Sequence, residues 1–362
     1  MRRPVRAREI EDIAVGAAIL GSGGGGDPLI GKLMALQAIE QYGPVELVTP
    51  DELPENSLAV PVAMMGAPTV FAEKLPSGAE IGRALQALSH HLGRDVSCLV
   101  PIEAGGLNSM LPLALGASLH LPVLDLDGMG RAFPELQMVT FHLGGISATP
   151  MVLADEKGNQ SLLQTIDNVW TERLARVLTV QMGGAAMMAI YSMTVRHASI
   201  YGIQGAVSLA ERIGKVVREA HTMNVPPVDA LVAAGGGQRL FSGKIIDVLR
   251  RTTGGFVRGN VTIEGVGDCH GYQMVVFFQN ENLAAALDGE VVASVPDLVV
   301  ALDAETGLPV TTEALRYGLR VIVVGLPCAA QWRTPEGLAV VGPQYFGYDI
   351  EYRPIEQVSL PW

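Results

Sequence analysis

Two carboxylates in alternation, Asp125 and Asp127, close a short apolar run, Val123-Leu124. Gly128, Gly130, Arg131 and a third carboxylate, Glu135, follow at once. Strand propensity gives out where the charges begin, so the charges are expected at the C-terminal edge of a sheet, where open α/β sheets hold their ligands. Residues two apart on a regular strand share a face. Two like charges on one face need a cation, a shared proton or water between them. Asp125 and Asp127 are therefore candidates for acid–base work or for a divalent metal, Zn or Mg. Arg131 is placed to clamp an anion or to neutralise the acids. The competing reading is a solvated turn with a structural Arg–Asp pair.

Glu103 repeats this logic. A strand expected over 96–102 ends in Glu103-Ala104-Gly105-Gly106-Leu107-Asn108, an acid and glycines just past a strand with Asn108 at the start of the next helix. If the two strands are neighbours, Glu103, Asp125 and Asp127 converge. His142, at the end of a strand expected over 137–142, is a further candidate for proton transfer. Asp268-Cys269-His270 sets three ligand types side by side, but adjacent residues rarely bind one metal together, and a loop is the stronger reading.

The run Gly21-Ser22-Gly23-Gly24-Gly25-Gly26-Asp27-Pro28 satisfies G-x-G-x-x-G literally. A dinucleotide site also requires a strand before the glycines. Residues 6–20 read more easily as a helix, with Ile10, Ile13, Ala14, Ala17 and Ala18 at helical spacing. NAD is therefore not the expected cofactor, although an anion or polar ligand on this loop is open. Asp27 is placed to cap a second helix with Pro28 in its first turn.

Strands alternate with helices up to about residue 165, which implies a parallel or mixed sheet. The segment 146–163 reads as a β-ribbon around Asp155–Asn159. The Met-rich stretch 182–193 reads as core or domain interface. A long amphipathic helix covers 202–221, and beyond Leu240 short strands dominate. The fold expected is an α/β N-terminal domain over 1–165 and a β-rich α+β C-terminal domain over 166–362, since 362 residues exceed one typical core.

The chain is 49% hydrophobic and 17% charged with 42 glycines, which argues for a folded chain rather than a disordered one. A net charge of -12 argues against nucleic acid and anionic membranes as partners. Three widely spaced cysteines, Cys98, Cys269 and Cys328, form no disulfide framework. With no signal peptide or spanning segment apparent, a cytoplasmic protein is expected. Low charge and the Met-rich segment point to a homodimer acting on a small molecule.

Several of these segments carry a resemblance over nearly the whole chain. L-G-S-G-G-G-G-D-P at 20–28, E-A-G-G-L-N at 103–108 and P-V-L-D-L-D-G-M-G-R-A-F-P-E-L-Q-M at 122–138 resemble the S-methyl thiohydantoin desulfurase family, as do G-P-Q-Y-F-G-Y at 342–348 and V-P-D-L at 295–298. The resemblance implies a hydrolase that releases a thiol from C2 of a five-membered thiohydantoin ring. On that chemistry Asp125 or Asp127 would be the base, or both would hold the metal, with Glu103 as second acid. Asn108, Arg131 and Glu135 would hold the ring, and Gly23, Gly24 and Gly25 would offer backbone N–H groups to it. Two other classes stay open: a dinucleotide-dependent oxidoreductase and a non-catalytic metabolite-binding protein.

Overall fold

The protein is described by a computed structural model that covers residues 2–26, 28–66 and 78–362. Among these residues the first sheet runs Arg3–Val5, Val45–Val48, Val123–Leu124, Cys98–Pro101, Leu58–Gly66, Ala185–Ala189, Met151–Ala154, Gln160–Leu163, with Met193–Thr194 also paired to Leu58–Gly66. Its centre is parallel: Val45–Val48, Val123–Leu124, Cys98–Pro101 and Leu58–Gly66 all run the same way. The strands outside this centre pair antiparallel. Cys98–Pro101 and Val123–Leu124 are direct neighbours, so their C-terminal ends lie side by side.

The Met-rich stretch becomes Ala185–Ala189, fully buried between Leu58–Gly66 and Met151–Ala154. The chain thus passes residue 165 without leaving the first sheet. Helix Ala7–Leu20 packs on helix Ala206–Met223 at two glycines. A side chain at Gly16 would strike the Ala210 carbonyl, and one at Gly214 the Asp12 carbonyl, so the backbones touch. Arg218 clamps buried Asp12 with two bonds of 2.7 and 2.8 Å beside that contact.

The second sheet is wholly antiparallel, in the order Glu290–Ser294, Glu281–Leu287, Gln273–Gln279, Phe256–Gly265, Gln238–Thr253, Arg320–Leu326, Leu298–Asp303. Register shifts at Ile245/Asp247, Arg239/Phe241, Phe277/Phe278 and Ala285/Ala286 bend it into a half-barrel.

Two local expectations change. Residues 137–142 form no strand. Thr140 turns back to the Gly128 carbonyl, through its N–H at 2.7 Å and its hydroxyl at 3.2 Å, and a one-turn helix, Thr140–Leu143, follows. Asn280-Glu281-Asn282 follows an apolar run and its residue types read as turn chemistry, yet all three are buried. Asn280, at φ 58°, reverses the chain alone, and Glu281 opens a buried strand. The expected Asp27 cap lies outside the described residues, while the helix it was expected to cap is Pro28–Tyr42.

Candidate functional site

A cavity of about 60 Å³ lies where the C-terminal edge of the parallel strands meets the start of Glu281–Leu287. Gly25 and Gly26 form one wall, Met64, Met65, Met129 and Met188 others, and Glu103, Asn108, Phe133, Glu135, Arg176 and Glu281 also line it. Unbranched methionines make up much of its wall, and they are the side chains best able to yield as a ring enters.

Glu103 is held from two sides. The Phe133 N–H donates to Oε2 at 3.3 Å and the Asn108 amide to Oε1 at 2.6 Å. The amide orientation follows from Met64, whose N–H donates to Asn108 Oδ1 at 2.9 Å. Burial pushes the Glu103 carboxyl up to about 7, against the opposing pull of these hydrogen bonds and of Arg131.

Glu281 faces the same cavity from the second sheet. It is 3% exposed, and its Oε2 has no hydrogen-bond partner. Burial first, and then the charge of Glu103, raise its carboxyl well above the usual range, while Arg131 opposes. Glu281 packs directly on Gly24, where any side chain would collide with its Oε1. The glycine run therefore serves close approach. Gly25 O accepts from Leu107 N at 2.9 Å, and Gly23 O accepts from Thr312 N at 2.9 Å, so the loop is wedged between the two halves of the chain. Helix Ala7–Leu20 precedes Gly21, so the strand that a dinucleotide site requires is absent.

The central acids diverge. Asp125 is turned toward helix Ala206–Met223, where its two oxygens accept the Ser208 N–H at 2.9 Å and the Ser208 hydroxyl at 2.5 Å. It does not line the cavity. Asp127 is 2% exposed and is pushed up to about 8, mainly by burial, with Glu103 and Asp125 adding. Its Oδ1 accepts from Met129 N at 3.1 Å and Gly130 N at 2.7 Å. Asp127 thus shapes the turn that carries Met129 to the cavity without reaching the cavity itself. With both oxygens of Asp125 engaged, this pair does not make the metal site expected of it. Among the described residues no group of three or more His, Cys, Asp or Glu side chains is placed to hold a metal ion. Asp125 and Asp127, as placed, do not fit a divalent cation.

Arg131 is fully buried and lies outside the cavity lining. Its donors go to the carbonyls of Ala132 (3.0 Å), Asn282 (3.0 Å), Pro296 (3.1 Å) and Asp297 (2.7 Å), and it stacks on Phe133. It ties the two sheets together and lends a positive charge behind Glu281, where sequence reasoning made it a substrate clamp. His142 is half-buried and also away from the cavity. Its Nδ1 meets Asn168 Nδ2 at 3.0 Å, and burial lowers its basicity. Asn168 Oδ1 already accepts from Ala148 N, so the amide nitrogen faces the ring and His142 Nδ1 acts as acceptor. At the rim, Glu135 Oε2 accepts from Tyr345 OH at 2.7 Å and from Gln137 Nε2 at 2.5 Å. Arg176 is committed to Glu172 (2.7 Å) and the Pro134 carbonyl (2.9 Å). Glu103, Asn108, Glu135 and Gly25 therefore line one cavity, while Gly23 and Gly24, expected beside Gly25, do not line it. Glu281, Arg176 and the methionines are additions. The one sequence signal for Glu281 was an acid directly after an apolar strand, in a setting that also reads as a turn.

Among the described residues no helix is long and apolar enough to cross a membrane. No functionally curated protein matches the chain. A crystallised protein from Chromobacterium violaceum superimposes with a TM-score of 0.80 at 22% identity, over 98% of this chain and 100% of that one, a likeness that shows the fold alone. Family models described as S-Me-THD-like, N-terminal domain and S-Me-THD-like, C-terminal domain match residues 8–165 and 166–355. With both domains matched in sequence order, the chain belongs to the S-Me-THD-like family, that of the S-methyl thiohydantoin desulfurases.

Proposed function

We propose that this protein is a hydrolase that replaces the sulfur substituent at C2 of a thiohydantoin-type ring with oxygen, using Glu103 and Glu281 as its acid–base pair. The observation that supports this most is the pair itself: two buried carboxylates from different sheets facing one methionine-walled cavity, both with raised affinity for a proton. Carboxyls pushed to different degrees divide the roles of base and acid. Glu103, near neutrality, ionises and takes a proton from the attacking water, then passes it to the ring nitrogen. Glu281 stays neutral and protonates the departing sulfur as the C2–S bond breaks. The proton released when the C2 hydroxyl becomes a carbonyl restores Glu281. One water is consumed, and one hydantoin and one thiol are formed.

A second reading is a metabolite-binding protein without turnover, for which the unpartnered Oε2 of Glu281 would serve as a hydrogen-bonding group to the ring. Thiol release from an S-methyl thiohydantoin, followed with a thiol-reactive chromophore, separates the two. Glu103→Gln and Glu281→Gln are each expected to lower the rate about 10²–10⁴-fold. Absence of thiol release by the wild-type chain, with a thermal shift on adding the ring, would support the binder instead.

A further inference from the structure

Asn280 stands where the chain reverses into strand Glu281–Leu287, and it lines the cavity beside Glu281. On a regular strand two consecutive side chains point to opposite faces. The left-handed backbone of Asn280, at φ 58°, sets that rule aside, so both residues reach one cavity. Val257 holds this turn from both sides of its peptide. The Asn280 N–H donates to the Val257 carbonyl at 2.7 Å, and Asn280 Oδ1 accepts from the Val257 N–H at 2.8 Å. A backbone N–H only donates, so the amide oxygen faces Val257 and the amide nitrogen faces away from it. Asn280 is 5% exposed, and nothing among the described residues accepts from its Nδ2. The other amide on the wall, Asn108, is engaged: its Nδ2 donates to Glu103 Oε1 at 2.6 Å and to the Met64 carbonyl at 3.3 Å. A donor buried this deeply destabilises the fold when left unpaired, and the space it borders is the cavity.

We propose that the Asn280 amide donates to the carbonyl oxygen at C4 of the bound ring, and that the cavity thereby selects five-membered rings that carry this carbonyl. The proposal rests on the reading of the cavity as a site for a thiohydantoin-type ring. In such a ring C2 and C4 flank one nitrogen, N3, so the sulfur and the oxygen lie on either side of it. Two consecutive residues answer that arrangement in kind: the neutral Glu281 carboxyl donates to the departing sulfur and the Asn280 amide to the oxygen. The second contact fixes which edge of the ring meets Glu281 and leaves C2 to the water that Glu103 activates. A neutral donor is the type of group this place requires. A cation there would lower the proton affinity of both carboxyls, whereas an amide orients the ring and leaves them raised. A ring without the C4 carbonyl leaves the amide unpaired, and a site built around such a bond rejects the ring that lacks it.

Isothermal titration calorimetry of the full chain with hydantoin and with 2-imidazolidinone, the same ring with a methylene at C4, tests this. The wild type is expected to bind hydantoin at least about tenfold tighter. Asn280→Gly retains a residue that accepts the left-handed backbone, and it is expected to bring the two affinities within about threefold of each other by weakening hydantoin alone. An Asn280 that only shapes the turn would weaken both rings together, and that result overturns the proposal. Equal affinities in the wild type overturn it without any variant, as does a wild-type chain that takes up neither ring. The comparison is independent of turnover. A tenfold preference for hydantoin in a chain that releases no thiol supports the contact and counts against the hydrolase alone.

Discussion

The protonation of Glu103 follows from its burial, and this has a sign in stability. Its carboxyl rises from the usual range to about 7 in the folded chain. Below the unfolded value both states hold the proton and nothing is lost. Between the unfolded value and about 7 the folded state holds the extra proton and stability falls, and the fall ends once both states are ionised. The fall is about 3 kcal/mol in full. Melts of the wild type are therefore expected to weaken from pH 5 to pH 8 more steeply than those of Glu103→Gln. Parallel curves would mean that the carboxyl titrates as an exposed acid. In turnover the same group sets the acid limb: kcat/KM rises with pH through about 7 as Glu103 ionises, then falls as Glu281 loses its proton. A limb displaced to ordinary carboxylate pH would assign the base elsewhere.

At the scale of elements, two short segments are built for contact. Gly24 exists for Glu281. Gly24→Ala pushes a methyl into Glu281 Oε1, so activity is expected to fall at least tenfold while the melting temperature moves by a few degrees. The steady-state rate and a melting curve of the same preparation check this. Asp125 holds the first turn of helix Ala206–Met223 through Ser208, and it does so away from the cavity. Asp125→Ala is expected to cost about 1–3 kcal/mol of stability, since it removes charge-assisted bonds at a helix N-terminus. Its KM is expected to be unchanged, and urea unfolding together with saturation kinetics checks both. Loss of kcat at undiminished stability would return Asp125 to the chemistry.

At the scale of the molecule, the site exists only where the two sheets meet, and Arg131 holds that meeting. Its guanidinium reaches the carbonyls of Asn282, Pro296 and Asp297 from the loop after Leu126–Asp127. Asp297 in turn collects Arg333, Tyr352 and the Ile355 N–H, all within 2.8 Å, which anchors the C-terminal segment to the same corner. Arg131→Met leaves those carbonyls without their donor. It is expected to cost more than about 3 kcal/mol, at 1–3 kcal/mol for each orphaned group. Calorimetry is expected to show one transition in the wild type and a broadened or split one in the variant. A small shift with a large rise in KM would make Arg131 a substrate clamp instead.

What the sequence determined by itself was local. Apolar spacing in 6–20 and 202–221 specified helices, found as Ala7–Leu20 and Ala206–Met223, because periodicity is written in neighbouring residues. An acid and glycines past an apolar run marked Glu103 and Asn108, because strand ends in a parallel sheet collect ligands. The alternation of Asp125 and Asp127 carried no sign that Ser208 would claim the first, since that bond joins residues 83 apart in the chain. Glu281 was legible only as an acid in an Asn-Glu-Asn turn. The tertiary structure made it a buried carboxyl beside Glu103 by letting Asn280 reverse the chain alone and by closing Gly24 over it. Charge state and partnership depend on which distant segments exclude water from a side chain, and that is decided only when the two sheets pack.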